Sequence, residues 1–582
     1  MIKHRGYAFS LIFLLLFVLL RSLSEYHFYA QEQNQLFQLN LSFIGEYLSQ
    51  PGGLVALLSG LLVQFFSIPN MGAISVSLLL TSVGFMAWKI LRRIDKESNM
   101  FILASLPAVS LLFMHWNLNY LTQGTIAFLL MEVLLFWVMG VKSTSLRLLY
   151  AMTLSVALFW FAGPVSTLFS ISISLNEALR RSPKWYLYLA APLLVWMLGE
   201  LALRFSLVGE SRLIYLPDGY YHFRLLPDAV IYYSWISFLL AIIVVHILRS
   251  RNSILGRARW IFMVSQFLLL LFVGWRGYDL YGDKRSYQLK MMDYFAGRGD
   301  WDRILELCKG KLSNQLYVCD QNMALANKGL LAEEAFKYTQ LGPTGLMVGW
   351  NKSTAVSALL SDVNFTTGNV AAAQEMAFES NISALGGGNP RMLKRLVQTN
   401  LIYGAYPIAE KYIDILESTL FYADWASEQR RFLYNDEEVA ADPLLGYMRA
   451  NLLDDNHLVQ VDGFDKDMLR ISEQNPDNDI AIQYAGVYYL LAKDIDGFKS
   501  FIEKYYGTEL LPRLPLPYQE AVIIISERDE SYWRRFGISD EIVNRFAEYK
   551  RQVLAGQNNS GSLPGLMYRS FGDTYWYYYM FR

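Results

Sequence analysis

The sequence predicts an all-α protein in two parts, a polytopic helical membrane domain and a helical-repeat domain that follows it. Apolar runs of about 17 to 25 residues, the length that crosses a bilayer, recur up to Trp275 and then stop. Beyond that residue apolar and charged side chains alternate with the period of soluble helices. The composition agrees, because 53% of the residues are hydrophobic and 18% are charged, against about 25% in soluble domains.

The first apolar run follows a basic N-terminus, as in a signal peptide, but no small-residue cleavage motif precedes Glu25. We therefore interpret this run as a retained first span. A further apolar segment, 52–67, is either an interfacial helix or an additional span. The predicted spans, about nine in all, lie near residues 7–23, 72–92, 99–115, 122–141, 146–162, 164–179, 183–204, 229–248 and 256–275.

The distribution of basic residues decides how segment 52–67 is interpreted, because short cytoplasmic loops collect Lys and Arg. If this segment lies on the outer surface, every basic cluster falls on the cytoplasmic side. We therefore expect a bacterial inner-membrane protein with a cytoplasmic N-terminus and a periplasmic C-terminal domain. The clusters are Lys3/His4/Arg5, Arg92/Arg93/Lys96, Lys142/Arg147, Arg180/Arg181/Lys184 and Arg249/Arg251/Arg257/Arg259.

We assign residues 1–275 to the membrane domain, with a first external loop at 24–71, and residues 276–560 to the repeat domain. In the repeat domain a glycine ends one helix shortly before an amphipathic second helix begins. The spacing of about 30 to 40 residues resembles that of tetratricopeptide (TPR) repeats and predicts a TPR-like solenoid. The turn residues are Gly299, Gly329, Gly368 and Gly404, with Asp494 in this place in a fifth pair.

The C-terminal tail, 561–582, is dense in Tyr, Trp and Phe. Such rings suit a membrane interface or a solenoid groove, and they equally suit an element that caps the last repeat. Cys308 and Cys319 are too few for a disulfide framework. Either one bridge or two buried thiols is compatible with the sequence.

Composition and motifs exclude several classes of function. The net charge of -1 provides no basic field for nucleic acid, so no nucleic-acid partner is expected. The chain contains no P-loop, zinc-ligand spacing, nucleophile elbow or dinucleotide fingerprint.

The first 95 residues resemble the GT-C superfamily of membrane glycosyltransferases, which includes oligosaccharyltransferases and protein O-mannosyltransferases. In that family an acidic residue follows the first span, the first external loop carries a surface helix, and the second span ends in cytoplasmic Arg. The matching features here are Glu25, the turn Pro51-Gly52-Gly53 with the apolar segment after it, and the span that ends at Arg92 and Arg93.

The resemblance implies that Glu25 is a general base for an acceptor hydroxyl, or a ligand for a divalent cation such as Mg²⁺ or Mn²⁺. Glu32 would share the catalytic role, and His27 is a titratable neighbour that would contact substrate. Many family members place a second carboxylate in the next external loop. This chain has His115, Asn117 and Asn119 there instead.

A donor phosphate needs cations near the outer leaflet, and Arg suits bidentate phosphate contacts. Arg212, His222 and Arg224 are the predicted substrate-binding residues. Glu132 and Glu200 lie within predicted spans, where carboxyl groups normally face the protein interior. A structural hydrogen bond and a functional role are equally compatible with that position.

The leading hypothesis is a glycosyltransferase that moves a sugar or glycan from a polyprenyl-phosphate-linked donor to a hydroxyl acceptor. The repeat domain would bind the acceptor, an envelope or secreted protein, because solenoids present long concave surfaces. The alternative is a catalytically inactive, membrane-anchored TPR-like scaffold of an envelope complex. A transporter is a weaker alternative, since inverted-repeat symmetry and paired broken helices are not evident.

Overall fold

The computed structural model describes residues 2–95, 103–249, 252–453, 463–527, 529–556 and 563–582, without the side chains of residues 2–8, 252–260, 262 and 263. The described residues form α-helices and short 3-10 helices and no β-strand, so the predicted all-α class is confirmed for them. The chain divides into two compact units. Unit 1 comprises Met1–Tyr287, Leu385–Gly387 and Ser418–Phe421, and unit 2 comprises Gln288–Ala384, Gly388–Glu417 and Tyr422–Arg582.

Unit 1 is built mainly from long apolar helices. Its described α-helices are α1 (Ile2–Glu32), α2 (Leu41–Leu48), α3 (Gly53–Gln64), α4 (Met71–Ile94), α5 (Leu106–Met114), α6 (Gln123–Met139), α7 (Thr144–Ala162), α8 (Val165–Leu179), α9 (Ala190–Arg204), α10 (Ser211–Tyr215), α11 (Val230–Arg249) and α12 (Asn252–Tyr281).

Five helical segments of unit 1 are long and apolar enough to cross a membrane. They are Phe9–Glu32, Met71–Ile94, Thr144–Ala162, Trp185–Arg204 and Val230–Arg249. Shorter apolar helices at Leu103–Met114, Gln123–Met139 and Val165–Leu179 account for three more predicted spans, and the ninth lies in α12. Each predicted span thus contains a helix, although these three are shorter than a typical crossing.

Apolar side chains also cover the outside of these helices. On α12 the side chains of Phe267, Leu268, Phe272 and Trp275 are more than half exposed. On α1 the same is true of Leu11, Leu14, Leu15 and Val18. Exposed apolar surface of this extent is costly in water and favourable in lipid.

Loops of unit 1 meet at one end of the helices, which we call the loop end. The main-chain N–H of Gly52, before α3, donates to the carbonyl oxygen of Trp160 near the end of α7 (2.8 Å). The N–H of His222, after α10, donates to the carbonyl oxygen of Asn119, between α5 and α6 (3.0 Å). The predicted external loops 24–71, 116–123 and 205–228 therefore contribute to the same end.

The opposite end, which we call the basic end, includes described residues of three of the predicted basic clusters, around Arg93, Arg147 and Arg180. The guanidinium of Arg147, at the start of α7, forms a buried ion pair with Glu177, near the end of α8 (2.9 Å). Arg93, near the end of α4, donates to the carbonyl oxygen of Phe136 in α6. The structure does not describe the side chains of Lys3, His4, Arg5, Lys96, Arg251, Arg257 and Arg259.

Unit 2 is a set of shorter helices. After α13 (Tyr287–Ala296), whose first residue belongs to unit 1, its described helices of ten or more residues are α15 (Gln315–Asn327), α17 (Thr354–Thr367), α18 (Val370–Ile382), α19 (Pro390–Ile402), α20 (Tyr406–Glu417), α24 (Phe464–Gln474), α25 (Asp479–Ala492), α26 (Ile495–Tyr505), α27 (Leu516–Ile525) and α29 (Asp540–Gly556). Shorter helices are α14 (Trp301–Leu307), α16 (Leu331–Glu334), α21 (Ala423–Gln429), α22 (Asp436–Ala441), α23 (Leu445–Ala450), α28 (Glu530–Arg535), α30 (Leu563–Phe571) and α31 (Tyr575–Phe581).

The five helix pairs predicted from glycine spacing are present, and each turn contains a residue in the left-handed conformation. The four predicted glycines have φ values of 68°, 69°, 94° and 69°. In the fifth pair this residue is Lys493 (φ 56°), and Asp494 instead caps α26 by accepting the N–H of Gly497 (2.9 Å). The first helix of each pair therefore ends in the usual way, at a residue in the left-handed conformation.

The order of packing departs from that of a linear solenoid, in which each repeat contacts only its neighbours. Helix α25 packs on α15, α16 and α17, which lie more than a hundred residues earlier in the chain. The side chain of Asn478 donates to the carbonyl oxygen of Thr367 (2.9 Å), and Gln483 accepts the N–H of Ala332 (3.2 Å). A single apolar core consequently includes residues from both ends of unit 2.

A buried ion network joins three helices of unit 2. Arg391 in α19 pairs with Asp293 in α13 and Asp362 in α17, and Arg395 donates to Asp362 (3.1 Å). Burial raises the pKa of Asp293, and it raises that of Asp320 beside it well above the ordinary value. The network fixes the relative positions of these helices, because removing one partner would leave a buried charge uncompensated.

The aromatic C-terminal tail packs into the core of unit 2. Tyr575, Trp576, Tyr577 and Tyr578 are all less than a tenth exposed. In α27, Glu520 accepts the N–H of Tyr575 on its carboxyl group (2.7 Å) and the indole N–H of Trp576 on its main-chain oxygen (2.8 Å). These rings therefore belong to a capping helix, one of the two interpretations that the sequence left open.

The two cysteines of unit 2 are free and buried. The thiol of Cys319 donates to the carbonyl oxygen of Leu346 (3.4 Å), and that of Cys308 to Tyr317 (4.0 Å). The structure thus favours buried thiols over a bridge.

The turn at Gly404 allows a test of the helix-pair geometry. Gly404→Ala should lower the free energy of unfolding by about 1–2 kcal/mol, because alanine would have to adopt the left-handed conformation. An added Cβ at Gly404 meets only the end of the Arg449 side chain (3.9 Å), so the cost comes from the backbone. Gly565→Ala is the matched control, since this open position in α30 is helical and should gain about 0.5–1 kcal/mol. Denaturant titration measures both free energies of unfolding. Changes of the same sign in the two variants would contradict the left-handed turn at Gly404.

Glu520 should make the stability of unit 2 depend on pH. Burial raises its pKa from 4.5 to about 8, so between these values the unfolded chain releases a proton that the folded chain retains. The contribution of Glu520 to the free energy of unfolding should therefore fall as pH rises from 4.5 to about 8 and then level off. Glu520→Gln retains an acceptor oxygen and removes the titration, and other groups titrate equally in both proteins. Denaturant unfolding across this range should thus give a flatter profile for the variant, and parallel profiles would contradict the prediction.

Candidate functional site

Tyr220 joins three segments at the loop end. Its hydroxyl donates to the carbonyl oxygen of Ala162 (2.7 Å) and accepts the N–H of Val165 (2.9 Å), on the two sides of the turn between α7 and α8. Its own carbonyl oxygen accepts the N–H of Leu121 (3.0 Å). The segments after α5, α7 and α10 are therefore held in fixed relative positions.

The first external loop is anchored to the same turn. Gly52 and Gly163 have φ values of 86° and 78°, and a Cβ added to Gly163 would lie 3.4 Å from the Cα of Gly52. The amide of Gln123 also donates to the carbonyl oxygen of Gly52 (3.3 Å). This close approach of two backbones sets where α3 begins, at the position predicted for the surface helix.

Glu25 lies near the C-terminal end of α1 and is partly exposed. The ring of its neighbour Tyr26 meets Tyr287 edge to face, with centroids 5.7 Å apart. Burial, with the charges of Tyr26 and Glu25, raises the pKa of Tyr287 to about 12. The Glu25 side chain therefore lies close to a neutral phenol and remains partly exposed.

Glu32 lies in a different environment. Its side chain is fully buried, and it accepts a hydrogen bond from the amide of Gln33 (2.7 Å). Seven residues separate it from Glu25 on the same helix, a rise of about 10 Å. The structure does not bring these two predicted catalytic carboxylates together as a pair.

His27, predicted to contact substrate, is fully buried. Its Nδ1 lies 3.5 Å from a carboxylate oxygen of Asp283, which follows α12. One turn earlier on α1, the hydroxyl of Ser24 accepts the indole N–H of Trp116 (3.1 Å). These interactions join the end of α1 to the segments that follow α5 and α12.

The segment after α5 contributes a buried polar group of its own. The Nε2 of His115 lies 2.9 Å from the hydroxyl of Thr125, which also contacts the hydroxyl of Tyr120 (3.0 Å). Asn117 accepts a hydrogen bond from the hydroxyl of Tyr221 (3.3 Å). In the loop that lacks the second carboxylate, the polar side chains therefore form hydrogen bonds between uncharged groups.

Arg212 clamps the external loop that carries the other predicted residues. Its guanidinium donates to the carbonyl oxygens of Phe223 (2.6 Å) and Leu225 (3.1 Å) and pairs with Glu210 (2.5 Å). A group with these partners has little remaining capacity for a phosphate. These contacts hold the loop in place, and the direct contact of Arg212 with a phosphate stays a prediction.

His222 and Arg224 lie in the clamped loop. The Nδ1 of His222 accepts the main-chain N–H of Arg224 (3.1 Å), and its ring stacks on Phe223. Burial, opposed by a main-chain hydrogen bond and assisted by the charge of Arg224, lowers the pKa of His222. The Arg224 guanidinium is exposed and lies over the Phe223 ring, 5.1 Å from its centroid.

Among the described residues no three His, Cys, Asp or Glu side chains come close enough to hold a metal ion. A divalent cation beside Glu25 would therefore not have three such side-chain ligands within the described residues, and its binding stays a prediction.

The two carboxyl groups of the predicted spans differ. Glu132 in α6 is fully buried, as expected, and neither carboxyl oxygen forms a hydrogen bond within the described part of the protein. Glu200 in α9 is exposed and accepts a hydrogen bond from the hydroxyl of Tyr215 (3.1 Å). The expectation that it faces the interior is wrong, because this partner lies at the surface of unit 1.

Sequence reasoning missed the residues that hold the site in place. Asp283, Trp116 and Tyr220 act through partners 55 to more than 250 residues away. No local motif marks them, although an aromatic-rich external loop is a general signal for packing between loops.

The clamp formed by Arg212 can be tested separately from chemistry. Arg212→Gln should lower the melting temperature of the protein, because the carbonyl oxygens of Phe223 and Leu225 lose their charged donor. Arg224→Gln, a matched control in the same loop, removes an exposed cation and should leave the melting temperature unchanged. Thermal unfolding in detergent measures both. Equal melting temperatures for all three proteins would contradict the clamp.

Comparisons with known proteins identify a family. A model of the family of unknown function DUF6057 matches residues 2–582 of the chain. No curated protein and no solved structure matches. Because the match extends over nearly the whole sequence, the chain belongs to the DUF6057 family.

Proposed function

We propose that this protein is a GT-C-like membrane glycosyltransferase or oligosaccharyltransferase of the bacterial inner membrane. It moves a sugar or glycan from a polyprenyl-phosphate-linked donor to a hydroxyl group of an envelope or secreted protein. In this proposal about nine helices span the membrane, the basic end faces the cytoplasm, and unit 2 is a degenerate TPR-like domain that binds the acceptor.

The observation that carries the proposal is the position of Glu25. It is a partly exposed carboxylate at the loop end, in the same unit as the surface helix α3 and the exposed cation Arg224. A sugar transfer from a lipid phosphate requires a base near the acceptor oxygen and positive charge near the leaving phosphate. The loop end contains both types of group.

The other carboxyl groups considered for this role are less suitable. Glu32 and Glu132 are fully buried, so an acceptor oxygen cannot reach them without rearrangement. Glu177 is buried in the ion pair with Arg147 at the basic end. Of these four carboxyl groups, Glu25 is the one that is partly exposed and lies at the loop end.

In the proposed reaction Glu25 removes the proton of the acceptor hydroxyl while the acceptor oxygen forms a bond to the anomeric carbon. The bond between that carbon and the donor phosphate oxygen breaks, and the phosphate leaves with the electron pair. Arg224 supplies positive charge to it. His222 donates a hydrogen bond from Nε2 to the same phosphate. The ring is neutral because its pKa is lowered, and the proton lies on Nε2 because Nδ1 accepts the N–H of Arg224.

The alternative, an inactive membrane-anchored scaffold, has a specific observation in its favour. The segment after α5 contains a neutral network of His115, Thr125 and Tyr120 where many GT-C enzymes have a second carboxylate. In a scaffold, unit 2 would recruit partners and the loop end would have no chemistry.

Glu25→Gln distinguishes the two functions. It retains the size of the side chain and removes its basicity, so an enzyme should lose about 10²- to 10⁴-fold of its transfer rate. In cells lacking the wild-type gene, glycan transfer to envelope proteins should fall accordingly while the abundance of the protein stays normal. Glycoprotein staining and mass spectrometry of the envelope fraction measure the transfer.

The matched control is Glu46→Gln, which removes an exposed carboxylate from α2 in the same external loop. It should leave transfer unchanged. Normal glycosylation in the Glu25→Gln strain, with a phenotype only when unit 2 is damaged, would contradict the enzyme and support the scaffold.

A further inference from the structure

Unit 2 contains a cavity of about 330 Å³. Its volume lies in the range of about 300–1,000 Å³ that small-ligand sites occupy. Three segments of the chain line it, which are 308–310, 334–340 and 568–582. The last of these includes the helices α30 and α31, so the buried aromatic helix also shapes one wall.

The charges around this cavity are mainly positive. Its lining contains the cationic side chains of Lys309, Lys337 and Arg582 and a single acidic side chain, that of Glu334. Glu334 pairs with Lys337 at 3.0 Å. The side chains of Lys309 and Arg582 form no ion pair within the described residues, so the cavity favours an anionic ligand.

The aromatic side chains of the lining add flat apolar faces and free hydroxyl groups. The rings of Tyr568 and Tyr577 lie at 60° to each other, with centroids 5.6 Å apart. The hydroxyls of Tyr338, Tyr568 and Tyr577 form no hydrogen bond to the part of the chain that the structure describes. A matching ligand therefore has an apolar face, several hydroxyl groups and a negative charge.

A nucleophilic role for the cavity is unfavourable. The one thiol in its lining is that of Cys308, which is 1% exposed. Burial and the nearby charge of Asp320 raise its pKa to about 12, so the unreactive neutral thiol dominates at pH 7. The cavity has the features of a binding site.

We propose that this cavity binds an acidic monosaccharide unit, a sugar ring that carries a carboxylate or a phosphate. Lys309 and Arg582 contact the acidic group, the tyrosine hydroxyls bond the sugar hydroxyls, and the rings of Tyr568 and Tyr577 pack on the apolar face of the sugar. The site goes beyond the proposed transfer reaction, because all of its lining lies in unit 2. Glu25→Gln should therefore leave binding intact.

Isothermal titration of the full-length protein in detergent tests this site with glucuronate, glucose 6-phosphate, glucose and acetate. Either acidic sugar should bind at least tenfold more tightly than glucose and than acetate, since each of these lacks one half of the recognised chemistry. Preference between the two acidic sugars identifies the acidic group. Equal affinity for glucose, equal affinity for acetate, or no binding of either acidic sugar at millimolar concentration would overturn the proposal.

Two substitutions locate the binding. Lys309→Gln should weaken the affinity for the preferred acidic sugar about tenfold and leave that for glucose unchanged, because it removes one charge-assisted hydrogen bond. Lys311→Gln is the matched control, since Lys311 is exposed two residues away and does not line the cavity. Tyr568→Ala should weaken the binding of all the sugars, and the fold should be retained because this side chain is 57% exposed. Equal effects of the two lysine substitutions would contradict the assignment.

Discussion

The hydroxyl group of Tyr220 is the interaction on which the loop end of unit 1 depends. It satisfies the carbonyl oxygen of Ala162 and the N–H of Val165 at the α7–α8 turn, groups that have no partner inside their own helices. Because the ring is 2% exposed, water cannot replace it there. Gly124 permits this arrangement, since an added Cβ would lie 2.6 Å from the Tyr120 hydroxyl and 2.8 Å from the Tyr220 Cβ. The start of α3 is bonded to the end of α7, and the loop that contains Arg212 is bonded to the segment after α5.

Much of the fold was predictable from the sequence because its causes are local. Apolar runs must form helices where no water can satisfy the backbone, and each predicted span contains one. Glycines at helix ends also indicated the turns of unit 2, because a residue without a Cβ adopts the left-handed conformation most easily. Lys493 was not recognised because a lysine in that conformation has no sequence signal. The return of α25 to α15 was not predictable either, since it depends on apolar surfaces that only the folded unit brings together.

The candidate site was predictable in its position and less so in its chemistry. A carboxylate after the first span and an aromatic loop with Arg and His were evident in the sequence, and both lie at the loop end. What each side chain does depends on distant partners. Arg212 binds main-chain oxygens of its own loop, and His27 faces Asp283, 256 residues further along the chain, by geometry that no spacing rule encodes. Glu25 is partly exposed and Glu32 is buried, although only seven residues of one helix separate them.

The cavity of unit 2 could not be predicted from the sequence, because more than two hundred residues separate its last lining segment, 568–582, from the other two. The aromatic tail drew attention for its composition, yet its rings have two different roles. Tyr575 and Trp576 fix α31 to Glu520 in the core, and Tyr577 and Tyr578 of the same helix line the cavity. The stability of the cap and the shape of the cavity are therefore coupled through one short helix. The loop end of unit 1 shares no residue with that helix, so a change in sugar binding and a change in transfer report on separate parts of the molecule.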